Sequence, residues 1–197
     1  IGDFALHTLN AGADGYNVAV GHNTGAAMTT AVRSTLVGGL AGDAITTGSD
    51  NTYLGYSAGT VSTSANSNVA VGRSALANNL NSDRNVAVGY FALGNMTSSA
   101  SVDGYNVAVG HEAGLSVTTG IKNTLIGGGS GDALTEGSNN VAIGYRALST
   151  ETLHGRNVAI GQDALFAQNA GANAFNVAIG FETGKSVTTG INNTLVG

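Results

Sequence analysis

The 197-residue chain contains no proline, no cysteine and no tryptophan, and only 10% of its residues are charged. Without cysteine there is no disulfide framework, no thiol nucleophile and no thiolate metal site. Basic residues are scarce as well. Seven Lys and Arg stand against twelve Asp and Glu, and the net charge of −5 argues against nucleic acid as a partner. No apolar run approaches the roughly 20 residues of a membrane-spanning helix, so no membrane insertion is expected. What the chain has instead is glycine, 31 residues of it, and a hydrophobic fraction of 42% built mostly on small Ala and Val. That fraction is too high for simple disorder.

The order in this composition is a repeat. Asn-Val-Ala-Val-Gly begins at Asn17, Asn68, Asn85 and Asn106, and Asn-Val-Ala-Ile-Gly at Asn140, Asn157 and Asn176. Variants begin at Ser34, Asn51, Asn123 and Asn193. Eight of the ten intervals are 17 residues, and those after Asn85 and Asn157 are 21 and 19. Ile1-Gly2 is the tail of an earlier copy, because 1–16 aligns with 160–175. Both ends cut through a unit, so 1–197 is expected to be a single repeat region belonging to a longer chain.

Number each unit from its Asn as position zero. Position one is always Val or Thr, position three always Val, Ile or Leu, and position four always Gly. Alternating β-branched residues that end at Gly predict a short strand and a tight corner. Helical repeats are refused by a Gly in every unit and by the Ser, Thr and Asn clusters between them. The expected fold is all-β, a parallel β-solenoid (β-roll) of about eleven 17-residue coils. With about 4.8 Å per coil the rod would be about 50 Å long, left- or right-handed.

Two further positions compensate in size. Where position eight is Gly (Gly25, Gly42, Gly114, Gly131, Gly184), position eleven is Met28, Ile45, Val117, Leu134 or Val187. Where position eight is Leu (Leu76, Leu148, Leu165), position eleven is Asn79, Glu151 or Gln168. One large apolar group filling one slot from either side is what a close-packed core requires. The small Ala at position seven and the Ala/Leu/Tyr alternation at position two suggest contact with a second subunit.

Asn17, Asn51, Asn68, Asn85, Asn106, Asn123, Asn140, Asn157, Asn176 and Asn193 occupy position zero. They are expected to form a structural ladder, each amide bonded to the next coil. Thr fills position twelve in eight of ten copies and reads as a second stack. Its other reading is an ice-binding array, which Leu80 and Asn169 interrupt. No catalytic residue, cofactor or metal ligand is expected. His22 and His111 share position five, which elsewhere holds Gly, Tyr, Arg, Gln or Phe. Gly184-Lys185-Ser186 lacks the spacing of a phosphate loop. The segments 38–43 and 127–132, each ending Gly-Asp, lie five coils apart, too far for neighbouring calcium turns to share ligands.

The run Asn-Val-Ala-Ile-Gly-Tyr-Arg-Ala-Leu (140–148), with Thr-Thr-Gly-Ile-Asn-Asn-Thr-Leu-Val-Gly (188–197), resembles the repeats of bacteriophage tail fibres and tailspikes. Its Val-Ala-Ile-Gly core is also similar to the head repeats of trimeric autotransporter adhesins. Those usually repeat at 14 residues, so the 17-residue unit favours the tail-fibre group. The resemblance covers essentially the whole chain. It implies a rigid homotrimeric rod in the virion tail, bound to other tail proteins and presenting contacts to the host. The alternative is a bacterial surface adhesin or extracellular filament. Neither family supplies catalytic residues.

Regular coils offer equivalent faces, so ligand contact is expected where the register breaks: 10–16, 98–105 and 169–175. Each segment ends in an aromatic, Tyr16, Tyr105 or Phe175, and these are the candidate receptor-contact residues, with a host surface glycan as ligand. The competing reading is that each loop covers the solenoid with its aromatic packed on the coil below.

Overall fold

The computed structural model describes residues 1–12, 14–98 and 101–197. Eleven three-residue strands stack in parallel into one sheet, one per unit, in sequence order. In the first half they are β1 (Val18–Val20), β2 (Thr35–Val37), β3 (Thr52–Leu54), β4 (Val69–Val71) and β6 (Val86–Val88). In the second they are β8 (Val107–Val109), β9 (Thr124–Ile126), β10 (Val141–Ile143), β11 (Val158–Ile160), β12 (Val177–Ile179) and β13 (Thr194–Val196). A separate two-stranded parallel pair joins β5 (Ser82–Asp83) to β7 (Val102–Asp103). The chain is a β-solenoid of about ten turns with no helix among the described residues.

The register is uniform. Val141 lies beside Val158, Ala142 beside Ala159 and Ile143 beside Ile160, and every other neighbouring pair repeats this pattern. A three-residue strand survives because it is bonded on both sides to identical neighbours.

The glycine at position four has a specific cause. Gly21 and Gly55 have φ of +139° and +143°. A Cβ on either would fall 2.6 or 2.5 Å from the carbonyl oxygen of the next coil's Gly38 or Gly72. The corners therefore stack too tightly for any side chain. The corners at positions six and sixteen also run left-handed, but there non-glycine residues accept the strain, among them Leu40, Ser57, Arg33 and Asp50.

The core runs up the inside of the coil as columns of small side chains. Position two (Ala70, Ala87, Ala142) and position seven (Ala41, Ala58, Ala147) are fully buried within the chain's own solenoid. Both had been expected at a subunit boundary, and the structure corrects that reading. The buried Asn at position zero sets the phase: side chains alternate along the strand, so position two faces inward whether it is Ala, Leu36 or Tyr53. The Val, Ile, Leu and Thr residues of positions one and three face outward, with Val18, Leu54 and Ile179 at 50%, 47% and 40% exposure.

The shared slot exists as the sequence suggested. A Cβ on Gly42 would lie 2.6 Å from Cδ1 of Ile45, and one on Gly25 2.7 Å from Sδ of Met28. Where Leu76, Leu148 or Leu165 fills the slot, the polar partner at position eleven is buried too. The coil that begins at Asn51 solves the problem a third way. Its Tyr53 ring reaches from position two into the space beside Gly59. In the longer coil that begins at Asn85, Leu93 and Met96 are both buried.

Candidate functional site

The asparagines at position zero line one inner corner, and most are fully buried. Each Oδ1 accepts the backbone N–H of the next coil's position zero: Asn51 from Asn68 at 3.0 Å, Asn68 from Asn85 at 2.8 Å, Asn123 from Asn140 at 2.9 Å. Each regular Nδ2 donates across its own coil to the carbonyl fourteen residues on, as Asn51 does to Ala65 at 2.7 Å and Asn123 to Gly137 at 2.8 Å. Both ends of the amide are thereby used. Ser34 keeps the rung by accepting from Asn51 N–H at 3.3 Å. Asn157, whose coil is two residues longer, breaks the pattern, and its Nδ2 is buried without a partner.

The Thr column also spends its hydroxyls on the neighbouring coil. Thr29, Thr46, Thr118 and Thr135 each donate to the carbonyl of the next coil's threonine at 3.1 to 3.2 Å.

Tyr16, Tyr105 and Phe175 each stand directly before the next Asn, at the left-handed corner that regular units form at position sixteen, and all are exposed. Ala13 of segment 10–16 and Ser99 and Ala100 of segment 98–105 lie outside the described residues. Tyr16 and Tyr105 share a local device, their hydroxyls donating to Asp14 at 2.9 Å and Asp103 at 3.2 Å. The Arg84 and Arg156 guanidiniums, one coil back in the same column, lie 5.8 Å from the Tyr105 ring and 5.3 Å from the Phe175 ring. The three aromatics thus belong to one edge of the rod, separated by several coils, and they form no common pocket. Arg33 and Asp50 pair on the same edge at 2.6 Å. The Asp50 carboxyl is held below its usual range by that hydrogen bond.

Asp43 and Asp132, which end the calcium-like segments, accept the hydroxyls of Thr60 (2.6 Å) and Ser149 in the following coil. Among the described residues no group of three His, Asp or Glu could hold a metal ion. Lys185 pairs with Glu182 at 2.6 Å, which raises the lysine above its ordinary range.

Two features stand apart from these columns. Gly55-Tyr56-Ser57-Ala58-Gly59 spells the Gly-x-Ser-x-Gly of a nucleophile elbow, and Ser57 has φ +55°. The same left-handed corner recurs at Asn23, Leu40 and Ser74, and neither Ser57's coil nor the coils on either side contain a histidine to act as base. It is a solenoid corner. The second feature is Glu151, fully buried at position eleven. Its Oε1 accepts the N–H groups of Thr152 and His154 at 3.1 Å, Oε2 accepts that of Ala170 at 3.4 Å, and His154 Nδ1 lies 3.6 Å away. The polar residue opposite Leu148 therefore satisfies backbone donors that an apolar one would strand.

Compared with protein-family models, curated proteins and solved structures, the chain matches none.

Proposed function

We propose that this chain is a structural and adhesion module of a phage tail fibre, three copies forming one rigid rod that carries host contacts on its edges. The observation that carries the reading is the outward face of the eleven-stranded sheet. Two columns of Val, Ile, Leu and Thr run its full length, and an apolar strip of that extent on a lone rod is a surface to be covered. Cyclic symmetry is supported by the pattern within the strip. Thr35, Thr52 and Thr124 interrupt the valines at position one, and only parallel copies at equal height set Thr against Thr. The resemblance to tail-fibre repeats supplies the number three and the setting, with other tail proteins as neighbours and a host surface glycan as ligand. The module does no covalent chemistry.

A bacterial surface adhesin built on the same repeat is the second reading, favoured by the Val-Ala-Ile-Gly core. Sedimentation equilibrium on the purified chain tests the assembly, with three times the 19.4 kDa chain mass expected. A stable monomer would remove the rod as proposed. Alanine at Tyr16, Tyr105 and Phe175 tests the loops: adhesion to host cells should fall while the circular dichroism spectrum stays the same.

A further inference from the structure

The regular part of the rod holds a cleft where two side chains are missing together. At position five the coils pass from His111 through Gly128 to Tyr145, and at position six from Glu112 through Gly129 to Arg146. The glycines leave an open cleft of about 530 Å³ with backbone as its floor. A Cβ on Gly128 would lie 3.5 Å from Cδ2 of Tyr145, so the Tyr145 ring forms one wall.

The wall groups are held in place. Arg146 lies 4.3 Å from the centre of the Phe166 ring and 6.0 Å from that of Tyr145, and its Nε is 4.0 Å from the buried carboxylate of Asp163. Asp132 commits Oδ1 to the Ser149 hydroxyl. Its Oδ2 lies 3.6 Å from where a Cβ on Gly129 would stand, turned toward the empty space. Glu112 closes the other side, 3.7 Å from His111.

These groups select a ligand class. Two carboxylates beside one arginine that is already matched by Asp163 disfavour an anion. His111, Glu112 and Asp132 line the cleft but are not gathered into a set that could hold a metal ion. An apolar ligand would desolvate charges without pairing them. A neutral polyol with an apolar ring face fits all the walls. Its C–H face lies on Tyr145, a hydroxyl donates to Asp132 Oδ2, and another accepts from Arg146. The geometry points to a pyranose-binding site in the cleft at Gly128 and Gly129, on the regular flank of the rod. The first half carries the same run of position-five residues five coils earlier. There His22, Gly39 and Tyr56 repeat the wall, but Leu40 stands where Gly129 opens the cleft. This inference deepens the adhesion part of the proposed function and rests on it.

The test is saturation-transfer NMR on the 197-residue chain with methyl pyranosides of glucose, galactose, mannose and N-acetylglucosamine. At least one should receive saturation at its ring protons. Gly128→Gln fills the cleft without backbone strain, since Gly128 is outside the left-handed region and Gln162 occupies the same position elsewhere. It should abolish transfer, and Tyr145→Gln should weaken binding by about tenfold, the order expected for one lost ring contact. No transfer to any of the four sugars, or transfer undiminished by Gly128→Gln, overturns the site. Neither result bears on the rod, which stands or falls on its mass in solution.

Discussion

The hydroxyl of Tyr53 lies 3.0 Å from Oγ of Ser62, and both side chains are fully buried inside one coil. Burial pushes the Tyr53 hydroxyl up to about 12. The unfolded chain loses this proton near pH ~10, whereas the folded one keeps it longer. The contribution is therefore whole below about pH 10 and is lost as pH rises toward about 12, a fall of about 2–3 kcal/mol. Tyr53→Phe should flatten that alkaline limb while costing about 1 kcal/mol at neutral pH. Urea midpoints from pH 8 upward read both effects, and an unchanged slope in the variant would show that Tyr53 is not its source.

Alanine at a corner glycine separates conformation from space. Gly55→Ala drives a methyl group into the Gly72 carbonyl, with no flexible neighbour to give way. A loss of at least about 2 kcal/mol is expected. Gly128→Ala meets only ordinary contacts and should stay within about 0.5 kcal/mol of the parent. Thermal melts of the two variants side by side decide it, and equal melting temperatures would refute the corner argument.

The ladder should weaken unevenly. Asn123→Ala removes a donor and an acceptor that are both in use, costing about 2–3 kcal/mol. Asn157→Ala removes an amide whose Nδ2 has no partner, so roughly half that cost is expected. Denaturant titration orders the two, and a reversed order would contradict the hydrogen-bond assignment.

Much of this architecture was legible in the repeat. The spacing of the asparagines gave the coil, the invariant glycine its corner, and the trade between positions eight and eleven its shared slot. The direction of the alternation was not legible. In Val-Ala-Val the pattern alone sends either set inward, and larger residues usually take the core. Here the asparagine at position zero decides, because position two shares its inward face, and only the stacked coils show that face to be buried. The role of Glu151 was hidden for a similar reason: its three backbone partners come from the next turn of its own coil and from the following one.

The inverted alternation makes the outer columns testable by charge. Ile126→Glu places a carboxylate at a position that is 37% exposed in the lone chain, so folding of one copy should change by less than about 0.5 kcal/mol. Buried between copies, the same unpaired carboxylate is prohibitive. The expected result is a monomer with an unaltered β spectrum, read by sedimentation. A trimer that tolerates Ile126→Glu would place the contact on another face.

The sheet's hydrogen bonds and the asparagine rungs all point along the axis of the solenoid. Flexing it stretches these bonds on the convex side and compresses them on the concave side, so every regular coil resists curvature equally. The turns that begin at Asn85 and Asn157 have four and two additional residues and interrupt that regularity. Under a sideways load the curvature gathers at these two places, while the runs of regular coils on either side of each stay straight.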